Sequence, residues 1–179
     1  MQPPQYLPEA IRQLHKLKQQ AERAMAQIPD TDWFSILDSE ANSIAIIVKH
    51  IAGNMHSRWS DFLTTDGEKP DRNRDAEFIL EAGDTKEQLL SCWEAGWQCL
   101  FEALAPLTPE DLDRTVLIRE EPHSVLQAIN RQVTHYAYHV GQIVLLAKHY
   151  AGENWQTLSV PRGKTTEFHA ARRQKRTGA

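Results

Sequence analysis

The sequence predicts an all-α protein: a four-helix bundle with a short irregular or extended segment before its last helix. Three observations predict it. Four stretches repeat apolar residues every three or four positions, the spacing of one helix face. The runs between them are rich in Pro, Gly, Asp and Asn, which end helices and make turns. The last stretch alternates steps of four and three without a break, which is how a bundle seam is written.

The first helix is expected over residues 8–28. Leu7, Ile11, Leu14, Leu17, Ala21, Ala24 and Ile28 form its stripe; Pro8 suits a first turn and Pro29 ends the run. The second covers residues 42–62, with Ile44, Ile47, Val48, Ile51, Met55, Trp59 and Phe62 inward. The polar run DGEKPDRNRD that follows is expected to be loop. A third helix begins at Asp84 or Thr85, where Thr85 and Gln88 fit a capping box, and stops before Pro106. Residues 108–113, TPEDLD, fit one short helical turn, and residues 115–119 are β-branched enough to be extended. The fourth helix follows Pro122 and runs to about Tyr150, with Gly152 as its stop signal. Its seam is Leu126, Ile129, Val133, Tyr136, Val140, Ile143 and Ala147.

At 179 residues the chain fits one domain. The bundle is expected over 1–157. Residues 158–179 form a basic tail whose first part packs on the bundle and whose end is disordered, because it has too few apolar residues to bury. Hydrophobic residues at 41% and charged residues at 25% are ordinary for a globular protein. The net charge of −4 gives no basic excess for nucleic acid. The RRQKR run is too short to change that. No apolar stretch approaches a membrane span, and MQPPQYLPEA carries no secretory pattern, so a cytoplasmic protein is expected. Cys92 and Cys99 lie seven residues apart on one helix, about 10 Å along it. That exceeds the roughly 7 Å a disulfide allows, and small buried thiols are expected.

Of eight histidines, His135 and His139 stand out. Four residues apart, they sit one turn above each other on a helix face and can ligate one metal ion. They lie about 100° round from the Leu126/Val133/Val140 seam, at the edge of the buried arc. Ala128, Gln132, Gln142 and Leu146 share their stripe. The pair alone is a weak signal that two half-buried histidines would also give, so a third ligand must come from another helix. His50 is the candidate, placed at the margin of the second helix's apolar face beside Ile47 and Asn54. His56 is about 240° round from it and points elsewhere. Asn54, Arg58 or Asp61 can hold the second ring nitrogen of His50; Asn54, Gln132 and Gln142 are the candidate surrounding residues. His15, among Lys, Arg and Gln, is expected to be solvated.

With these residues in hand, the chain resembles the DinB-like (YfiT-like) superfamily of metalloenzymes. The matching stretches are KHIAGN around His50 and HYAYHVGQIVLLAKH around His135 and His139. It is most similar to an uncharacterised bacterial subfamily through SRWSDFLTTDGEKPDRNRDAEF, HYAYHVGQI and LSVPRGKTTEF. The resemblance spans about residues 7–168. It implies a four-helix bundle, a divalent metal such as zinc, nickel or iron on the three histidines, and a homodimer. It also implies, for some relatives, transfer or isomerisation chemistry that uses a low-molecular-weight thiol.

Two functions follow as expectations. One is a metal-dependent enzyme acting on a small molecule, with thiol-dependent transfer first and metal-assisted hydrolysis second. The other is a non-catalytic dimeric bundle with a binding or scaffold role. No general base is evident: Asp61 lies about three turns from His50, and Tyr138 points away from His139. Arg72 and Arg74 in the loop and Arg162 in PRGK are either anion-binding groups or solvated charges.

Overall fold

A computed structural model describes residues 3–177. They form a mostly helical fold with one small antiparallel sheet. In chain order the elements are α1 (Pro3–Met25), α2 (Ile44–Trp59), α3 (Lys86–Leu104), β1 (Thr115–Ile118), β2 (Glu121–Ser124), α4 (Val125–Ala151) and α5 (Thr165–Thr177). Single 3-10 turns lie at Asp30–Trp33, Asp75–Phe78, Pro109–Asp113 and Gly152–Asn154.

Local chemistry sets the helix ends. The Ser43 hydroxyl accepts from the Ile46 N–H at 3.2 Å, satisfying a donor that α2 leaves open. Thr85 does the same for Gln88 at the start of α3. Ser124 and Gln127 make the reciprocal pair at α4: Gln127 N–H donates to Ser124 Oγ at 3.1 Å, and Ser124 N–H to Gln127 Oε1 at 2.8 Å. Gly152, with φ of +52°, ends that helix in a conformation that disfavours other residues.

The first helix starts five residues before the expected Pro8. A proline so near a helix end forfeits only one hydrogen bond, so the chain winds through it. The short turn at Pro109–Asp113 and the extended segment are both present, and α4 follows Pro122, which itself lies in β2. Arg119 and Glu120, with φ of +56° and +64°, form the two-residue turn that right-handed strand twist favours. The tail differs most. The stretch 165–177 is helical, because Ala, Arg, Gln and Lys are good helix formers whether or not they bury a face. Residues 178–179 of the expected disordered end lie outside the described residues.

Four helices share the core. α1 packs on α4, α2 on α3, and α2 on α4. Leu14, Ile51, Trp93, Trp97, Ile129 and Tyr136 are among the side chains with no exposed surface. α3 lies close against α2 at Gly96. A Cβ there would lie 3.0 Å from the Met55 methyl and 3.3 Å from the Ala52 backbone.

The DGEKPDRNRD loop is sewn to the hairpin. Asp66 accepts from the backbone N–H groups of Arg119 at 2.8 Å, Glu120 at 2.7 Å and Glu68 at 2.7 Å. Gly67 N–H donates to Leu117 O at 2.8 Å.

Candidate metal centre

α2 and α4 pack so that three imidazoles meet. His50 comes from the middle of α2 and is buried at 3% exposure; His139 is buried on α4; His135, one turn earlier, is half-buried. Their Nε2 atoms converge: His50 to His135 is 3.4 Å, and His135 to His139 is 3.1 Å. One ring nitrogen of each lies within 4.8 Å of the others. A tetrahedral ion with metal–nitrogen distances of about 2.0–2.1 Å spaces its ligand nitrogens about 3.3 Å apart. The three histidines can therefore hold a metal ion. Its identity is not encoded in the geometry, because imidazole suits several transition metals.

The far sides of two rings are anchored. His50 Nδ1–H donates to Glu77 Oε2 at 2.8 Å, and His139 Nδ1–H donates to Gln142 Oε1 at 2.9 Å. Each bond puts the proton on Nδ1 and leaves the Nε2 lone pair facing the cluster. Lone pairs at such separations repel unless a proton or a cation lies between them. Burial, with His139 and His50 adding to it, pushes His135 down to about 3, so its ring stays neutral at ordinary pH. Burial also lowers His139, against the bond to Gln142.

Glu77 is not among the sequence candidates. The expectation that Asn54, Arg58 or Asp61 holds the second nitrogen of His50 is not met by any of the three. Asn54 Oδ1 accepts instead from the Tyr136 hydroxyl at 3.2 Å, which in turn accepts from Trp59 Nε1 at 3.0 Å. Arg58 turns to Glu68 at 2.9 Å and to the Gly67 carbonyl. Asp61 is exposed beside His56 and Cys99. Glu77 arrives from the 3-10 turn after the loop, where no periodicity marks it, and Phe78 covers the His50 ring at 4.7 Å.

Arg72 fixes the Glu77 carboxylate with two bonds, Nε to Oε1 and Nη2 to Oε2, each 2.8 Å. Such a fork is specific as well as strong. Burial alone would raise the Glu77 carboxyl, but bonds from His50 and Arg72 outweigh it and hold it below the usual carboxylate range. Glu68 behaves alike: bonds from Arg119 and Arg58 overcome its burial and bring it to about 2. Arg72 is thus no solvated loop charge.

Above His50 and His135 opens a cavity of about 530 Å³. Arg58, Arg72, Arg74, Arg119 and Arg131 line it, with Gln132 at its wall. Tyr138, which is exposed, lines it too; its ring meets His139 edge-on at 5.1 Å between centroids. Arg162 does not reach this cavity and lies in a separate groove with Arg23 and Phe168. One smaller expectation also changes: Cys92 is exposed and Cys99 half-buried, both as free thiols. His15 is exposed, as expected, with its ring stacked on Phe101 at 3.9 Å. Among the described residues no helix is long and apolar enough to cross a membrane.

Fold and cluster define a class: a helical protein with three histidines from two helices placed to hold a metal ion at the floor of an arginine-lined cavity. The chain belongs to the family described as "Protein of unknown function (DUF1572)", whose model matches residues 2–164. That match ends one residue before α5 begins. No curated protein matches the chain.

Proposed function

We propose that the protein is a divalent-metal-dependent enzyme of the DinB-like type, a four-helix bundle over residues 1–157 with the basic tail 158–179 appended. His50, His135 and His139 are its metal ligands. The observation that carries this reading is the convergence of three Nε2 atoms, two of them aimed by Glu77 and Gln142, at the floor of a cavity. A closed structural site would use a fourth protein ligand; three ligands beside a cavity leave room for substrate.

A divalent cation such as zinc, nickel or iron, when held there, acts as a Lewis acid on a thiol or a water. The chain's residues do the rest. Glu77 draws on the His50 Nδ1 proton and strengthens Nε2 as a donor, and Gln142 fixes the tautomer of His139. Phe78 keeps bulk water from the His50 ring. The exposed side of His135 faces the cavity, where the substrate enters. Thiol-dependent transfer to a small electrophile is the first reaction expected, hydrolysis the second, and the working form is a homodimer.

Elemental analysis of protein purified without chelator tests this reading, with His50→Ala and His135→Ala alongside. The wild type should carry about one equivalent of a transition metal and both variants far less. Under a tenth of an equivalent in the wild type overturns it. Conjugation of a generic electrophile to several biological thiols, with and without metal, then separates transfer from hydrolysis.

A further inference from the structure

The cavity is more cationic than the metal cluster needs. Five arginines line it, and the carboxylates bonded to them are Glu68 and Glu77. Glu68 is shared by Arg58, Arg72 and Arg119 at 2.9, 3.1 and 2.9 Å. Glu77 is shared by Arg72 and His50. Among the described residues, Arg74 and Arg131 have no acidic partner. Arg74 lies over the Phe78 ring at 5.0 Å, and Arg131 belongs to α4. They reach the cavity from two different walls, the loop and α4.

Two buried atoms at the same cavity are also unsatisfied. Gln132 is 3% exposed and its Oε1 has no hydrogen-bond partner; Arg58 is 6% exposed and its Nε has none. A buried polar group left unpaired costs about 1–3 kcal/mol, so the residues beside the arginines are incompletely hydrogen-bonded as they stand. Cationic forks with unpaired donors match the planar oxygens of a carboxylate or the oxygens of a phosphate. No Leu, Ile, Val or Met is among the residues lining the cavity.

We propose that this cavity is an oxyanion-recognition site: the substrate or cosubstrate is a small molecule bearing a carboxylate or phosphate group. Arg74 and Arg131 bind that group, and the remainder extends past Gln132 toward His135. This assignment rests on the metal reading only for the direction in which the molecule lies; the anion site itself stands on the arginines.

The test is calorimetric titration of the full chain at constant ionic strength with succinate and with inorganic phosphate, sodium chloride serving as the control. Metal content is measured on the same samples. The proteins are the wild type, the double variant Arg74→Gln/Arg131→Gln, and Arg162→Gln as a variant of the separate groove. The wild type should bind one of the two oxyanions at least tenfold more tightly than chloride, and which one identifies the group. The double variant should lose at least tenfold in affinity with metal content unchanged, and Arg162→Gln should bind as wild type does. Binding no better than chloride, an unaltered double variant, or a loss with Arg162→Gln would overturn the proposal. Metal without oxyanion binding removes this inference and leaves the metal reading; oxyanion binding in a chain that holds no metal does the reverse.

Discussion

Gly53→Ala changes one methyl group and tests how the His50 ring is aimed. Gly53 lies on α2, three residues after His50, and its missing side chain makes room for Glu77. A Cβ built there would stand 2.6 Å from Glu77 Oε1, 2.9 Å from its Cδ and 3.2 Å from its Cγ. Ordinary contact begins at 3.4 Å, so the carboxylate would have to withdraw by about 0.8 Å. It cannot withdraw freely, because Arg72 grips both oxygens at 2.8 Å and His50 holds Oε2 at 2.8 Å. A shift of that size stretches a 2.8 Å bond to about 3.6 Å, beyond hydrogen-bonding range. Loss of such a supporting partner typically lowers metal affinity about 10–100-fold. The helix itself should not suffer, since Ala is favoured over Gly in a helix interior by about 1 kcal/mol. Competition against a chromophoric chelator measures the affinity, and circular dichroism checks the fold. Gly141→Ala is the control: it lies between His139 and Gln142 on α4, and nothing lies within 4 Å of a Cβ there. Affinity unchanged in Gly53→Ala, or reduced equally in Gly141→Ala, would refute the reasoning.

Two further predictions concern stability. The His135 ring titrates near 3 in the fold against an ordinary 6.5, so below pH 6.5 the unfolded chain binds a proton that the folded chain refuses. Stability of the metal-free protein should therefore fall as pH drops from about 6.5 toward 3, by up to about 1.4 kcal/mol per pH unit for this group. The lowered His139 acts in the same direction, and Glu77 adds to it below its ordinary 4.5. Urea midpoints of chelator-treated protein at pH 7.5, 6.5 and 5.5 should fall along that series, and less steeply in His135→Gln; equal slopes would contradict the assignment. Tyr136→Phe removes a fully buried hydroxyl that joins Trp59 to Asn54. Two buried polar groups lose their partner, at a cost of about 1–3 kcal/mol. Thermal melting should show a loss of about 2–4 °C per kcal/mol for a chain of this size, with metal content kept; an unchanged Tm would contradict it.

Sequence patterns carry the helices and the His135/His139 pair, because both depend on local spacing; adding His50 to the set rests on the family resemblance as well. A four-residue step must stack His135 on His139 whatever the tertiary fold. The place of His50, where the apolar face of α2 ends, fits a ligand and a helix-boundary histidine equally well. Ser43 and Ser124 cap their helices by a chemistry equally visible in sequence, although only the Thr85 cap was anticipated. Glu77 was not readable. It lies 27 residues from His50, on a 3-10 turn with no repeating pattern, and it reaches the ring through the path of a loop that spacing does not describe. The hairpin itself was half visible, since β2 contains Pro122 and lacks a β-branched run. The roles of the arginines depended on the same loop path. Arg72 and Arg74, two residues apart, have opposite fates: one is locked on Glu77, and the other has no ion pair among the described residues. The helical tail was missed for a different reason: composition reports what a segment can bury, not whether it can wind.

Three imidazoles sharing one ion are the centre of the proposed chemistry, and X-ray absorption at the edge of the metal carried by the purified protein tests that most directly. Three imidazole nitrogens at about 2.0–2.1 Å, reduced in number in His50→Ala, are the predicted result. A coordination sphere containing sulfur at about 2.3 Å, or one without imidazole scattering, would contradict it.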